Sequence, residues 1–350
     1  MRILFLTSGA QVPSSRFRVL QYLPHLRAAG HTCRVARSIP SKYGAWPLIG
    51  WRGSELPRRL FRWLDLGRAR LGRYDVIFLE RELFSSGYGG LEKRFRQAAG
   101  SLVLDLDDAT FLTHPDKFAA LAGISDAIIA GNRLLAQKAE AYNARVTIIP
   151  TVVDLERYPW PKPARPPEPL VVGWTGLSSN LRYLQPLLPA LRALTAECGC
   201  ELRLISDRLP RDDELDAEGL NLRFVRWSEE REIADLQELD IGLMPLPHDD
   251  WARYKCGLKI IQYMALGIAA VASPVGVNAD IIRDGENGLL ADGPEQWEAA
   301  LRRLAVDPEL RERLAASGRA TVERDYSLTV HLPRLLEVLR EAANPAASSR

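Results

Sequence analysis

Short apolar runs of four to seven residues, most followed by a segment of helical periodicity, recur along nearly the whole chain, and this alternation limits it to folds built from βαβ units. Arg2 to Thr7 reads as a buried strand, Ser8 to Ser15 as a polar loop, Arg16 to Ala29 as a helix ending at Gly30, and Thr32 to Arg37 as the next strand. Further strands are expected at Val76 to Glu80, Leu102 to Leu106, Ala127 to Ala130 and Val146 to Ile149. The alternation stops once, at Tyr158-Pro-Trp-Pro-Lys-Pro-Ala-Arg-Pro-Pro-Glu-Pro169, where prolines forbid helix and disfavour a central strand, so an extended linker is expected. It resumes with strands at Leu170 to Thr175, Glu201 to Ser206, Leu222 to Val225, Ile241 to Pro245 and Ile268 to Ala272. With 350 residues, 47% of them hydrophobic, the chain is long enough for two cores. The expected organisation is an α/β chain of two doubly wound parallel-sheet domains, 1–157 and 170–325, joined by the linker 158–169. A terminal segment 326–350 ends in a small polar tail from Asn344.

Charge excludes little but removes one class. A net charge of +2 from 46 basic and 44 acidic residues gives no global field that would call for nucleic acid. Cys33, Cys198, Cys200 and Cys256 have neither the density of a disulfide framework nor a metal-binding spacing, so free thiols and no metal site are expected. The first apolar run is too short for a signal core, and no run approaches the roughly 18 residues of a membrane span, so a cytoplasmic location is expected.

The most specific stretch is Tyr254-Lys-Cys-Gly-Leu-Lys-Ile-Ile-Gln-Tyr-Met-Ala-Leu-Gly267, continued by Ile268-Ala-Ala-Val-Ala-Ser-Pro-Val-Gly276. It reads as loop, helix, buried strand and glycine loop, with Gly267 at a left-handed C-terminal cap. It resembles the signature of retaining GT-B glycosyltransferases of family 4, and Asp280 to Leu290 resembles the segment that follows it there. That resemblance is specific from about Asp249 to Leu290 and implies two Rossmann-like domains facing a cleft, with a last helix crossing back to the first domain. It also implies a nucleotide-diphospho-sugar as co-substrate rather than a bound cofactor. The resemblance further implies that the leaving diphosphate itself assists deprotonation of the acceptor, so that no dedicated nucleophile is required.

The diphosphate needs cations or N–H donors. Val171 to Arg182 reads as strand, glycine loop and helix start, with Gly176 allowing close approach and Ser178, Ser179 or Asn180 as the cap of a helix that attracts phosphate. The family's Arg and Lys near these places are replaced here by Trp174 and Asn180. Lys255 and Lys259, in a KxGxK arrangement at the start of a helix over 258–266, are expected to face one way and supply the charge. The family's two glutamates, separated by seven residues, are replaced by Tyr254 and Gln262. Gln262 retains the hydrogen-bonding capacity for a ribose diol. Gly276 with the backbone amides of Val277 and Asn278 would approach the sugar hydroxyls.

On the acceptor side, Leu102 to Thr110 ends a strand in Asp105, Asp107 and Asp108. Asp105-Leu-Asp107 resembles the metal-binding DxD of the GT-A fold, but the resemblance to the GT-B family places this run where family members often have a His-Asp facing the acceptor, which implies Asp107 and Asp108 as groups that orient an acceptor hydroxyl or support positive charge at the anomeric carbon. With Lys259 these are the catalytic candidates. Gly9, Arg16 and Arg18, on and after the first loop, are candidates for acceptor binding with Asp108. The segment 51–74 carries seven arginines interleaved with Leu60, Phe61, Trp63, Leu64 and Leu71. It reads as a basic amphipathic helix suited to an anionic membrane surface, which fits a glycan or lipid-linked acceptor and a peripheral position at the inner face of the cell membrane. A helix packed on its own domain with solvated arginines is the plainer alternative. Two other functional classes stay open: a catalytically degenerate binding or scaffold protein, suggested by Tyr254 and Gln262, and an epimerase on the same fold.

Overall fold

The computed structural model describes residues 1–86, 89–161, 169–211 and 213–344. They form two compact units, one of Met1–Val152, Tyr254–Cys256 and Leu328–Arg350, the other of Val153–Arg253 and Gly257–Ser327. The expected linker 158–169 falls largely outside the described residues, as does the expected tail beyond Asn344.

The first unit holds β1 (Arg2–Thr7), β2 (Thr32–Arg37), β3 (Tyr74–Glu80), β4 (Ala99–Leu106), β5 (Ala127–Ala130) and β6 (Val146–Ile148), in the order β2-β1-β3-β4-β5-β6, every pair parallel. The second holds β7 (Val171–Thr175), β8 (Glu201–Ser206), β9 (Asn221–Arg226), β10 (Ile241–Met244), β11 (Ala269–Ala272) and β12 (Leu289–Leu290), in the order β12-β11-β10-β7-β8-β9, again all parallel. Central strands of parallel sheets are covered on both faces, which is why they read as unbroken apolar runs. The two-residue β12 is too short to give such a signal. Strand order reverses between β1 and β3 and again between β7 and β10, and loops at the carboxyl ends beside such reversals are where open α/β sheets take ligands. The helix Leu328–Ala343 closes the first unit's core: Leu335, Val338 and Leu339 pack with Phe5, Val76, Phe78 and Val103.

Two local expectations are corrected. The helix over Arg16 to Ala29 is three pieces, Pro13–Arg18, a 3-10 turn Leu20–Tyr22, and Leu23–Ala28. Pro24 lacks the N–H that a continuous helix needs there.

The second correction concerns the basic segment, which forms one helix, Gly50–Gly72, turned opposite to the usual sense. Arg58 and Arg62 are only 1% and 2% exposed. Arg62 donates from Nη1 to the Ala36 carbonyl oxygen (2.9 Å) and from Nη2 to that of Thr7 (2.6 Å), at the ends of β2 and β1. Arg58 donates to the Ser41 and Gly44 carbonyl oxygens (3.1 and 2.7 Å) and pairs with Glu55. Neither arginine is available to a membrane surface; both clamp loops at the sheet's carboxyl edge. Leu56, Leu60, Trp63, Leu64 and Leu71 point outward instead.

Candidate functional site

In the second unit, β7 ends with Trp174 and Thr175, and Gly176 begins the loop beside the strand-order reversal. Trp174 is buried, and the Lys259 ammonium lies 5.3 Å from its ring centroid. A Cβ at Gly176 would sit 2.7 Å from the Trp174 indole and 3.2 Å from Lys259 Cε, so a side chain there would displace both. Trp174, Gly176 and Lys259 thus form one packed corner, with a cation held by the face of an indole. Lys259 is the second residue of the helix Leu258–Ala265, whose buried Ile260, Ile261 and Met264 fix its rotation. The helix is entered through Gly257 (φ 68°) and followed by Gly267 (φ 63°), both left-handed turns that a side chain would strain.

Lys255 does not share that helix. The helix starts at Leu258, and the turn at Gly257 removes the four-residue helical register expected between Lys255 and Lys259. Lys255 belongs instead with Tyr254 and Cys256 in the first unit.

The loop after Gly176 leads into a 3-10 helix, Ser178–Leu187, not an α-helix, and Leu177 occupies its N-cap without a side-chain bond. Ser178 is engaged by the end of β8: its N–H and hydroxyl donate to the two oxygens of Asp207 (2.6 and 3.1 Å). Burial pushes the Asp207 carboxyl up, but these donors outweigh it and hold the group below its ordinary value. Ser206 ties the same turn by donating to the Gly176 carbonyl oxygen (2.8 Å). Ser179 is exposed and Asn180 half-buried on this turn.

Gln262 is buried on the inner side of its helix and donates to the Tyr158 hydroxyl (3.2 Å). Gly276 (φ 56°) passes so close to the Arg253 carbonyl oxygen that a Cβ would lie 2.2 Å from it. The Asn278 N–H donates to the Val275 carbonyl oxygen (3.2 Å) and its side-chain amide to that of Ser273 (3.0 Å), so Asn278 shapes the loop from within; Val277 beside it is half-buried.

At the carboxyl edge of the first unit, carboxylates alternate with arginines. Arg18, read from the sequence as a phosphate ligand, is buried: it grips Asp105 through Nε and Nη2 and donates from Nη1 to the Ile149 and Pro150 carbonyl oxygens (2.8 Å each). Arg16 is buried as well, with its guanidinium 5.1 Å from the Phe17 ring centroid. Gly9 packs against Ser41, whose Oγ would stand 2.7 Å from a Cβ at this position. The backbone N–H of Ser8 (3.1 Å) and the hydroxyls of Ser14 and Ser15 all donate to the buried Glu80.

Arg81 follows Glu80 with φ 58°, a left-handed conformation rare for a residue with a side chain. From it the guanidinium pairs with both oxygens of Asp107, lies 3.4 Å from Asp108 and donates to the Tyr43 hydroxyl (2.9 Å). Burial raises the Asp107 carboxyl; the Arg81 charge more than reverses this and leaves it below the ordinary value. Asp105 and Asp107 are therefore each matched to an arginine, an arrangement unlike a bare metal-binding pair. Cys256 donates to the Asp107 carbonyl oxygen (3.4 Å), while Asn132 donates to the Tyr254 carbonyl oxygen (2.9 Å). The Tyr254 ring stacks edge-on against Phe111, centroids 4.9 Å apart.

Sequence reasoning named Asp107 and Lys259 as candidates and did not name Glu80, Arg81 or Asp207, nor the packing of Trp174 under Lys259. Glu80-Arg81 ends a predicted strand beside the first reversal of strand order, so strand-end position was a signal for it. Nothing local marks Asp207, whose partner lies 29 residues away.

Residues 169–307 match the family described as Glycosyl transferases group 1. A D-inositol 3-phosphate glycosyltransferase of Thermomonospora curvata is 42% identical over 101 residues, 28% of this chain and 22% of that protein. One of Xylanimonas cellulosilytica is 28% identical over 231 residues, 57% of this chain and 53% of that protein. The chain thus spans between about a fifth and a half of these curated relatives. Among solved structures, sucrose-phosphate synthase from Thermosynechococcus elongatus superposes with a TM-score of 0.74 at 17% identity, covering 97% of this chain and 99% of that one. Anabaena HepE in complex with UDP and glucose gives 0.69 at 15% identity, covering 97% and 99%. Together with the two doubly wound sheets, these likenesses establish the GT-B fold.

Proposed function

We propose that this chain is a retaining GT-B glycosyltransferase that takes a nucleotide-diphospho-sugar as donor and a glycan or lipid-linked acceptor. The observation that carries the reading is the corner of Trp174, Gly176 and Lys259, a held cation at the carboxyl edge of a sheet within the stretch that matches group 1 glycosyltransferases. Lys259 would neutralise the diphosphate. Gln262 would serve the ribose, and Gly276 with Val277 the transferred sugar. In the first unit, Asp108 with the Arg81-paired Asp107 would orient the acceptor, beside Gly9 and Arg16. In the transfer, the bond from anomeric carbon to diphosphate oxygen breaks and one to the acceptor oxygen forms on the same face. The acceptor proton passes to the departing phosphate oxygen, and Lys259 would balance the diphosphate charge, so no metal is invoked. The enzyme would work in the cytoplasm, peripheral to the inner face of an anionic membrane through 51–74.

A binding-only role is the second reading, favoured by Tyr254 and Gln262: one packs on Phe111 and the other bonds Tyr158. Incubating the full chain with UDP-, GDP- and ADP-sugars, and following nucleoside diphosphate release and product anomers by NMR, separates the two. Slow release from one donor, with retained configuration in the transfer product, is expected. Binding without turnover would leave the scaffold, and no binding to any donor would sink the nucleotide-sugar reading.

A further inference from the structure

The helix Gly50–Gly72 carries an apolar stripe that its own unit leaves largely exposed, with Arg94 over one side of the Trp63 ring (5.0 Å to its centroid). Leu56, Leu60, Trp63, Leu64 and Leu71 follow the spacing of a single helical face, with Gly67 between them, and run for about 22 Å at 1.5 Å per residue. Leu56 and Leu71 are 75% and 86% exposed, and Leu48, just before the helix, is 99% exposed. The opposite face, Arg58, Arg62, Asp65, Leu66 and Ala69, is the buried one. An apolar stripe normally turns to the core; here it turns to solvent along four turns.

Charge identifies what covers it. On the helical projection Arg52, Arg59 and Arg70 flank the stripe on one side and Arg68 on the other, and all four are exposed. No carboxylate of the helix is exposed: Glu55 is half-buried against Arg58, and Asp65 is buried beside Arg62. A second copy pairing through the same face would set arginines against arginines. An apolar surface edged by anions matches instead: the interfacial layer of an anionic bilayer, where leucines reach the acyl boundary, arginines meet phosphates, and the Trp63 indole sits at head-group level.

We infer that the helix Gly50–Gly72 docks in the plane of an anionic membrane by inserting the stripe Leu56, Leu60, Trp63, Leu64 and Leu71, with Arg52, Arg59, Arg68 and Arg70 on the lipid phosphates. The docking deepens the lipid-linked acceptor reading and rests on it for its purpose, not for its geometry. Because insertion adds to charge, binding persists in part at salt concentrations that remove purely electrostatic adsorption.

The test is co-flotation of the full chain with vesicles of phosphatidylcholine and phosphatidylglycerol at about 0.15 M salt, a Debye length of about 8 Å. The variants Leu56→Ser/Leu60→Ser/Leu64→Ser/Leu71→Ser and Arg52→Glu/Arg59→Glu/Arg68→Glu/Arg70→Glu alter exposed positions only. Each is expected to weaken vesicle binding at least tenfold while UDP affinity and Tm stay unchanged. Brominated lipids should quench the wild type more than Trp63→Phe, a readout needing neither multiple variant. No binding of the wild type to anionic vesicles, equal binding by the leucine variant, or equal quenching with and without Trp63 would overturn the inference. So would self-association that the leucine variant abolishes in a chain that ignores vesicles, which would assign the face to a second copy. Loss of nucleotide binding with vesicle binding intact counts against the transferase reading alone.

Discussion

Replacing Lys259 by Ala should separate phosphate recognition from folding. The ammonium is held 5.3 Å from the Trp174 centroid, and its stem packs over Gly176, so little side-chain freedom remains to be lost when a diphosphate binds. A hydrogen bond from a charged donor contributes about 1.5–3 kcal/mol, which at about 1.4 kcal/mol per tenfold corresponds to roughly 10- to 150-fold in Kd. The cation–indole contact contributes about 0.5–2 kcal/mol to stability, and Lys259→Ala is expected to remain folded, with Tm as the check. Calorimetry on nucleoside diphosphates and the matching nucleosides reads this directly: diphosphate affinity should fall within that range while nucleoside affinity is unchanged. Equal loss for both ligands, or destabilisation by several kcal/mol, would show that Lys259 supports the fold and does not meet phosphate.

Three further outcomes follow from the same contacts. Arg62→Ala removes two charge-assisted bonds to strand-end carbonyls and should cost about 3–5 kcal/mol in chemical denaturation, whereas Arg59→Ala should stay within about 0.5 kcal/mol; equal effects would refute the inward clamp. Burial, reinforced by Asp107, pushes the Cys256 thiol up to about 12, so at pH 8 it stays protonated and should resist iodoacetamide in the folded chain while exposed Cys198 is alkylated. Labelling of Cys256 at the rate of Cys198 would contradict its packing on Asp107. Transfer should persist in excess EDTA, since Lys259 is proposed to carry the phosphate charge; loss restored by manganese or magnesium would return Asp105 and Asp107 to a metal-binding role.

The strands were legible because a parallel sheet covered on both faces leaves a continuous apolar run, and those runs by themselves determined two doubly wound sheets. Glycines at 257, 267 and 276 were legible as loop and cap positions because left-handed backbone favours that residue. Side-chain direction was not. Local periodicity places leucines inward on 50–72, yet carbonyl oxygens at the ends of β1 and β2, 55 and 26 residues away, take the long guanidinium of Arg62, and the leucines are turned to the surface. Likewise Lys255 and Lys259 are four apart in sequence, but the turn at Gly257 breaks their helical register. Asp107 was visible as a carboxylate; that Arg81 holds it is a fact of two strand ends meeting, 26 residues apart in sequence. Backbone pattern is encoded within a window of a few residues, whereas the partner of a buried charge is chosen by whichever distant polar group the packed sheet brings within about 3 Å.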